Sequence, residues 1–387
     1  MNDDTAAVRA GLDRTGFDET AEALFLTSGF VYGSAAEAEA AFAGDTDRFI
    51  YSRYGNPTVR TYERRLAALE GAEDAFATAS GMAAVFNALL ATVSAGDRVV
   101  ASRALFGSCR VILTELLPRL GVHADLVDGR SLDAWASALA TPAAAVFFET
   151  PSNPMQEIVD IAAVSDLAHA AGARVIVDNV FATPVLQRPL DLGADVVVYS
   201  ATKHIDGQGR TLGGMVLGSE DFIRTDLQPW MRHTGPALSP FNAWVQLKSL
   251  ETLRLRVGAE SDAAATIADR LASAPGVERV WYPGRSDHPQ AALARRQMSA
   301  GGTVVTFEVV GGRERAFAVL DGLSLIDISN NLGDTKSMVT HPASTTHRRI
   351  GPEARAEVGI TDGVIRLSVG LEDVDDLSDD LLSALGK

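Results

Sequence analysis

The chain has 387 residues, 34 Lys plus Arg against 50 Asp plus Glu, a formal net charge of −16, and 47% hydrophobic and 22% charged residues. That mixture is ordinary for a soluble globular protein and excludes a disordered chain, a collagen-like repeat and a disulfide scaffold. The acidity argues against nucleic acid and anionic membrane as partners, because both need clustered Lys and Arg, but it leaves room for a local basic site that holds an anion.

The lone Cys109 has no internal disulfide partner. The first twenty residues are polar and acidic, with no basic segment ahead of an apolar one, so a reducing cytoplasm is the expected compartment. The most apolar run, Ala83 to Val93, is about half the length of a membrane span. Residues 1–56 read as an arm: polar, with scattered aromatics and little periodicity. The spacing of Val59, Tyr62, Leu66 and Leu69 predicts a helix over Thr58 to Glu70, stopped by Gly71. A strand is expected at Arg98 to Ala101, a helix at Leu105 to Leu120, a strand at Ala144 to Glu149 and a helix at Ile161 to Ala171. Strands at Arg174 to Asp178 and Asp195 to Ser200 follow. Short apolar strands separated by helices predict an α/β fold with a mostly parallel sheet covered on both faces. A long helical stretch runs from Pro240 to Leu271. Beyond it come a strand at Thr303 to Val310, a helix at Glu314 to Leu320 and a strand at Val364 to Val369. A boundary near residue 255 divides a larger domain, 57–255, from a smaller α+β domain, 256–387.

In open α/β sheets, ligands bind beyond the carboxyl ends of the strands. Three strands end in polar signals there: Glu149-Thr150-Pro151-Ser152-Asn153-Pro154, Asp178-Asn179 and Ser200-Ala201-Thr202-Lys203-His204. Lys203 is either a solvated loop lysine or a desolvated Schiff-base lysine acting as nucleophile and base. Asp178 closes the run Val175-Ile176-Val177, where a carboxylate is costly unless paired. It is either a satisfied structural group or the partner of a cationic ring nitrogen, as a pyridoxal cofactor requires. Ser80-Gly81-Met82 opens an apolar helix, a seat for phosphate as well as a cap. Arg366, inside an apolar strand, either snorkels at an edge or clamps a substrate carboxylate. The glycines from Gly207 to Gly213 lack dinucleotide-binding spacing and follow no strand, which argues against a nicotinamide-dependent dehydrogenase. Walker, zinc and Gly-x-Ser-x-Gly motifs are absent, and no metal is expected. His341 and His347 read as structural or wall residues.

Taken together, these residues resemble the cystathionine γ-synthase family of pyridoxal-phosphate enzymes of cysteine and methionine metabolism. Six ordered motifs carry the resemblance: Tyr51-Ser52-Arg53-Tyr54-Gly55-Asn56-Pro57-Thr58, Ala79-Ser80-Gly81-Met82-Ala83, the Glu149 to Pro154 segment, Tyr199-Ser200-Ala201-Thr202-Lys203, His341-Pro342-Ala343-Ser344, and Ile365-Arg366-Leu367-Ser368-Val369-Gly370-Leu371-Glu372. The resemblance implies a fold type I transferase in which Lys203 binds the cofactor covalently and Asp178 pairs with its ring nitrogen. Ser80, Gly81, Met82, Ser200 and Thr202 would surround the phosphate. Tyr51 and Arg53 would reach the phosphate of a neighbouring subunit in a homotetramer of two catalytic dimers. Phe106 would stack on the ring, Asn153 would sit near the ring oxygen, and Arg366, with Asn153 and Asn331, would bind substrate.

One position and two segments depart from most relatives. Phe106 stands where many carry a ring-stacking tyrosine, and it can neither give nor take a proton. The His204 to Arg210 segment differs from the usual one, as does Asn330 to Ser337, in which Lys336 replaces a common acidic residue. Both are similar to a branch acting on O-succinylhomoserine. The expected reaction is γ-replacement on O-succinyl-L-homoserine by sulfide, giving L-homocysteine and succinate. The alternatives are cystathionine γ-synthesis from cysteine, sulfhydrylation of O-acetylhomoserine, and methionine γ-elimination. Arg110 and Arg210 are candidate counter-charges for the leaving acyl group.

Overall fold

The computed structural model describes residues 1–386. Its centre is a seven-stranded sheet of β1 (Asp74–Thr78), β2 (Arg98–Ser102), β3 (His123–Val127), β4 (Ala145–Glu149), β5 (Arg174–Asp178), β6 (Val196–Ser200) and β7 (Gly214–Gly218), in the order β1-β7-β6-β5-β4-β2-β3. The strands from β3 through β6 are mutually parallel, and β7 is antiparallel to both β6 and β1. The period-2 alternation of side chains explains why these strands are apolar throughout. On β6, Val196 and Val198 pack with Ala84, Ala88, Leu89 and Leu113 on one face. Val197 and Tyr199 pack with Tyr62, Leu66, Leu247 and Leu250 on the other. The expected mostly parallel, helix-covered sheet is thus present.

A second sheet holds β8 (Val277–Trp281), β9 (Val304–Val309), β10 (Asp327–Ile328), β11 (Met338–Thr340) and β12 (Val364–Ser368), in the order β10-β11-β12-β9-β8. Its pairings are antiparallel apart from the β10–β11 contact. The helix Leu253–Ala272 and the C-terminal helix Val374–Gly386 cover it, burying Ala264, Ile267, Leu271, Leu377 and Leu381 with Val305, Phe307 and Leu367.

Several predicted elements are re-cut by local physics. The helix Pro57–Glu70 starts one residue early, because Asn56 caps it by accepting from the Thr58 N–H at 2.9 Å and Pro57 suits the first turn. The helix expected from Leu105 begins at Gly107. It loosens into a π turn over Ile112–Leu116 and tightens over Leu117–Leu120, where Pro118 cannot donate. The long helix expected over Pro240 to Leu271 is two, Pro240–Leu250 and Leu253–Ala272. Arg256 spans the break, donating to the Ser249 carbonyl at 3.1 Å and to the His204 carbonyl at 2.8 Å. The arm is not irregular throughout: it carries the helices Asp3–Arg9 and Ala35–Ala43, the latter capped by Ser34. No described helix is long and apolar enough to cross a membrane.

Candidate active site

β4, β5 and β6 lie side by side, so the three polar strand endings meet at one edge of the sheet. Glu149 stands across the ladder from Asp178, and the Asn179 N–H donates to the Val198 carbonyl at 3.3 Å. Asp178 is partly exposed at the strand end, with its Oδ1 accepting the Val180 N–H at 3.1 Å. Burial raises its carboxyl above the usual range. That is the state expected of an acid still short of a cationic partner.

Lys203 sits in the turn after β6, where its N–H donates to the Ser200 carbonyl at 3.2 Å. Its Nζ donates to Asn331 Oδ1 at 2.5 Å. Burial, and then the Arg366 guanidinium, bring the amine down to about 8. Lys203 is therefore not a solvated loop lysine: a substantial fraction of it is neutral and nucleophilic near physiological pH.

Arg366 lies on β12, with β11 and β9 on either side, and is 1% exposed, so edge snorkelling is excluded. One of its terminal nitrogens donates to Asn153 Oδ1 at 3.0 Å. The other donates to the Asn330 and Asn331 carbonyls at 3.0 and 3.1 Å. Its Nε–H is buried without an acceptor. Burial alone lowers the guanidinium to about 10. A buried cation with a donor to spare is suited to an anion. Asn331 thus touches both Lys203, through its side chain, and Arg366, through its backbone.

The phosphate seat is built by close approach. Ser80 caps the helix Gly81–Leu90, its Oγ accepting the Ala83 N–H at 3.2 Å. The Gly81 and Met82 N–H groups donate no hydrogen bond among the described residues. A Cβ on Gly81 would stand 2.5 Å from Ser200 Cβ, so only glycine lets the helix start reach the end of β6. Thr202 Oγ1 accepts the Gly213 N–H at 3.2 Å alongside. Capping and anion binding are compatible here, because the cap satisfies Ala83 and leaves the two preceding amides open.

Phe106 precedes the helix Gly107–Val111, and its N–H donates to Glu149 Oε1 at 2.6 Å. Cys109, Glu149 and Asp178 bring their ligand-type atoms within 4.8 Å of one another. Burial, and then the two acids, push the Cys109 thiol well up, which makes it a poor metal ligand. Tyr51 and Arg53 make no hydrogen bond to the other predicted site residues among the described residues. Arg53 donates to the Arg232 carbonyl, with its guanidinium over the rings of Tyr54 at 4.8 Å and Tyr51 at 5.4 Å. Arg210 is spent on Asp206 and Ser249, whereas the Arg110 guanidinium makes no hydrogen bond or ion pair among the described residues. His341 is structural, bonding Ser344 and the Asp362 carbonyl, each at 2.8 Å. Two participants were passed over in sequence: Glu149, whose apolar run Phe147-Phe148 parallels the one before Asp178, and Asn330, whose only contribution is a carbonyl.

The chain matches the Cys/Met metabolism PLP-dependent enzyme family over residues 4–386. It is 62% identical to an O-succinylhomoserine sulfhydrylase of Mycobacterium tuberculosis, over 98% of this chain and 95% of that one. It is 51% identical to the protein of that name from Pseudomonas aeruginosa, over 99% and 94%. Among solved structures, a putative O-acetylhomoserine (thiol)-lyase from Campylobacter jejuni superposes with a TM-score of 0.95 at 31% identity over the whole of both chains, and carries N′-pyridoxyl-lysine-5′-monophosphate. The residues present here fit that cofactor: two open amides in a glycine-dependent cradle, an acid lacking its cation, and a lysine with a lowered pKa. The chain belongs to the Cys/Met metabolism PLP-dependent enzymes.

Proposed function

We propose that the protein replaces the γ-substituent of O-succinyl-L-homoserine with sulfide, giving L-homocysteine and succinate. The observation that carries this reading is the near-full-length identity, 62% and 51%, to two proteins named O-succinylhomoserine sulfhydrylase. Pyridoxal phosphate, when bound, supplies an aldehyde for covalent attachment and a sink for the electrons of a substrate carbanion. The chain's own groups do the rest. The Gly81 and Met82 amides, with Ser80, Ser200 and Thr202, would hold the phosphate, and Asp178 would pair with the ring nitrogen. Phe106 would pack on the ring face. Arg366 binds the substrate α-carboxylate with its spare Nε–H, while Asn153 and Asn331 keep the guanidinium oriented. Lys203 Nζ, the group that would hold the cofactor's aldehyde, accepts the proton from the substrate α-carbon and passes protons to and from the β-carbon. Phe106 has no hydroxyl, so proton traffic on that side of the ring falls to Lys203.

Tyr51 and Arg53 are read as completing the phosphate site of a second copy in a homotetramer. Support comes from the arm's exposed apolar side chains, with Phe17 93%, Val31 91% and Phe42 68% exposed. The lone, buried Cys109 supports the reading of a cytoplasmic protein. The arm 1–56, large domain 57–255 and small domain 256–387 are retained as the working division. The test is homocysteine formation from sulfide and O-succinyl-, O-acetyl- or O-phosphohomoserine. The succinyl ester should react best. No homocysteine from any ester refutes the reading. Preference for cysteine over sulfide would indicate cystathionine γ-synthesis, and 2-oxobutyrate without a nucleophile would indicate a γ-lyase.

A further inference from the structure

Glu149 is 6% exposed and closes β4 directly across the ladder from Asp178. Its Oε1 accepts the Phe106 N–H at 2.6 Å, and its carboxyl lies within 4.8 Å of both the Asp178 carboxyl and the Cys109 thiol. One buried acid therefore grips the backbone of the residue read as facing the cofactor ring, and also flanks the acid read as pairing with the ring nitrogen. We propose that Glu149 is a positioning residue for the cofactor ring, fixing the stacked face through the Phe106 amide and the nitrogen edge through a proton that it keeps beside Asp178.

With Glu149 buried and the Asp178 carboxyl within 4.8 Å of it, ionising one disfavours ionising the other. Burial, and then Asp178, push Glu149 well above the usual carboxylate range. A cation arriving at Asp178 settles the negative charge there and leaves the proton on Glu149. Glu149 is then a neutral acid whose Oε1 still accepts from Phe106. What the position requires is length and an acceptor oxygen rather than charge.

This role depends on the ring lying between Phe106 and Asp178, and the experiment separates the two claims. Cofactor affinity by equilibrium dialysis, and circular dichroism in the visible cofactor band, are measured for wild type, Glu149→Gln, Glu149→Asp and Asp178→Asn. Glu149→Gln keeps the reach and an acceptor oxygen, so its dissociation constant should stay within about threefold of wild type with the dichroic band preserved. Glu149→Asp keeps the acid but withdraws it by about one bond length, out of hydrogen-bond range of Phe106. Affinity should fall by about tenfold or more, and the dichroism should weaken as the ring loosens. Equal effects in the two variants, or the reverse order, overturn the proposal. Hydrogen exchange in the wild-type holoenzyme is an independent check. The Phe106 amide should be protected, and fast exchange there overturns the proposal whether or not the variants fold. An unchanged spectrum and affinity in Asp178→Asn would instead remove the ring placement itself.

Discussion

If Lys203 is the lysine that captures pyridoxal phosphate, its amine, lowered to about 8 by burial and by Arg366, sets the capture rate of the apoprotein. Only the neutral amine attacks an aldehyde. At pH 7 an amine titrating at about 8 is roughly one-tenth neutral, whereas one at the ordinary lysine value of about 10.4 is neutral to a few parts in ten thousand. The site therefore gains on the order of 10² in reactive amine at neutral pH. The sign follows from the charge: burial and a nearby cation both disfavour the ammonium, so each shifts the balance toward the nucleophile. Stopped-flow mixing of apoprotein with pyridoxal phosphate, followed in the visible band, should give a capture rate that rises about tenfold per pH unit and levels off near pH 8. Arg366→Met isolates the charge, because methionine keeps the site buried while removing the guanidinium. Its plateau should move to higher pH. A wild-type rate still climbing at about pH 10, or an Arg366→Met profile that stays put or moves to lower pH, refutes the reasoning.

Arg366→Met should also raise KM for the amino-acid substrate by about 10²-fold, the loss of charge-assisted bonds worth about 3 kcal/mol; an unchanged KM places the carboxylate elsewhere. Lys203→Ala should prevent borohydride from fixing the cofactor to the protein, and reduction that still traps it would remove the lysine's assignment. Gly81→Ala drives a methyl to 2.5 Å from Ser200 Cβ, so a stability loss of about 1–3 kcal/mol and weaker cofactor binding should appear together in thermal melts and dialysis. Within its own chain Arg53 bonds the Arg232 carbonyl and lies over the Tyr51 and Tyr54 rings, and Arg53→Ala removes those contacts. If the arm serves a second copy, this variant should still release cofactor faster than wild type, and an unchanged release rate would contradict that reading.

How much of this was legible in the sequence varied with the range of the forces involved. β4, β5 and β6 announce themselves because strands buried on both faces need continuous apolar runs, and a polar residue closing such a run marks the ligand edge. β7 is as buried as they are, but it is three apolar residues between glycines, too short for its pattern to stand out. β3 sits at the sheet edge as His-Ala-Asp-Leu-Val, where the alternation of polar and apolar residues lasts only four positions. The break after Leu250 is held by Arg256 reaching to a different loop, which no helical period encodes. The same holds at the site. Lys203 and Asp178 could be singled out locally, whereas the meeting of Lys203 with Asn331 joins residues 128 positions apart. The role of Glu149 emerged only once parallel pairing had set it beside Asp178.

Asn331 stands between two positive groups, its side chain on the Lys203 amine and its carbonyl on the Arg366 guanidinium. The consequence is a rule of admission. A plain amine would bring a positive charge beside the Arg366 guanidinium, with nothing to offer its idle Nε–H. A zwitterionic amino acid brings its own compensation and can dock carboxylate first, its ammonium following. Decarboxylated analogues of a substrate should therefore leave the cofactor's visible band untouched at concentrations where the parent amino acid shifts it, and an equal shift by both would show that the pocket does not discriminate in this way.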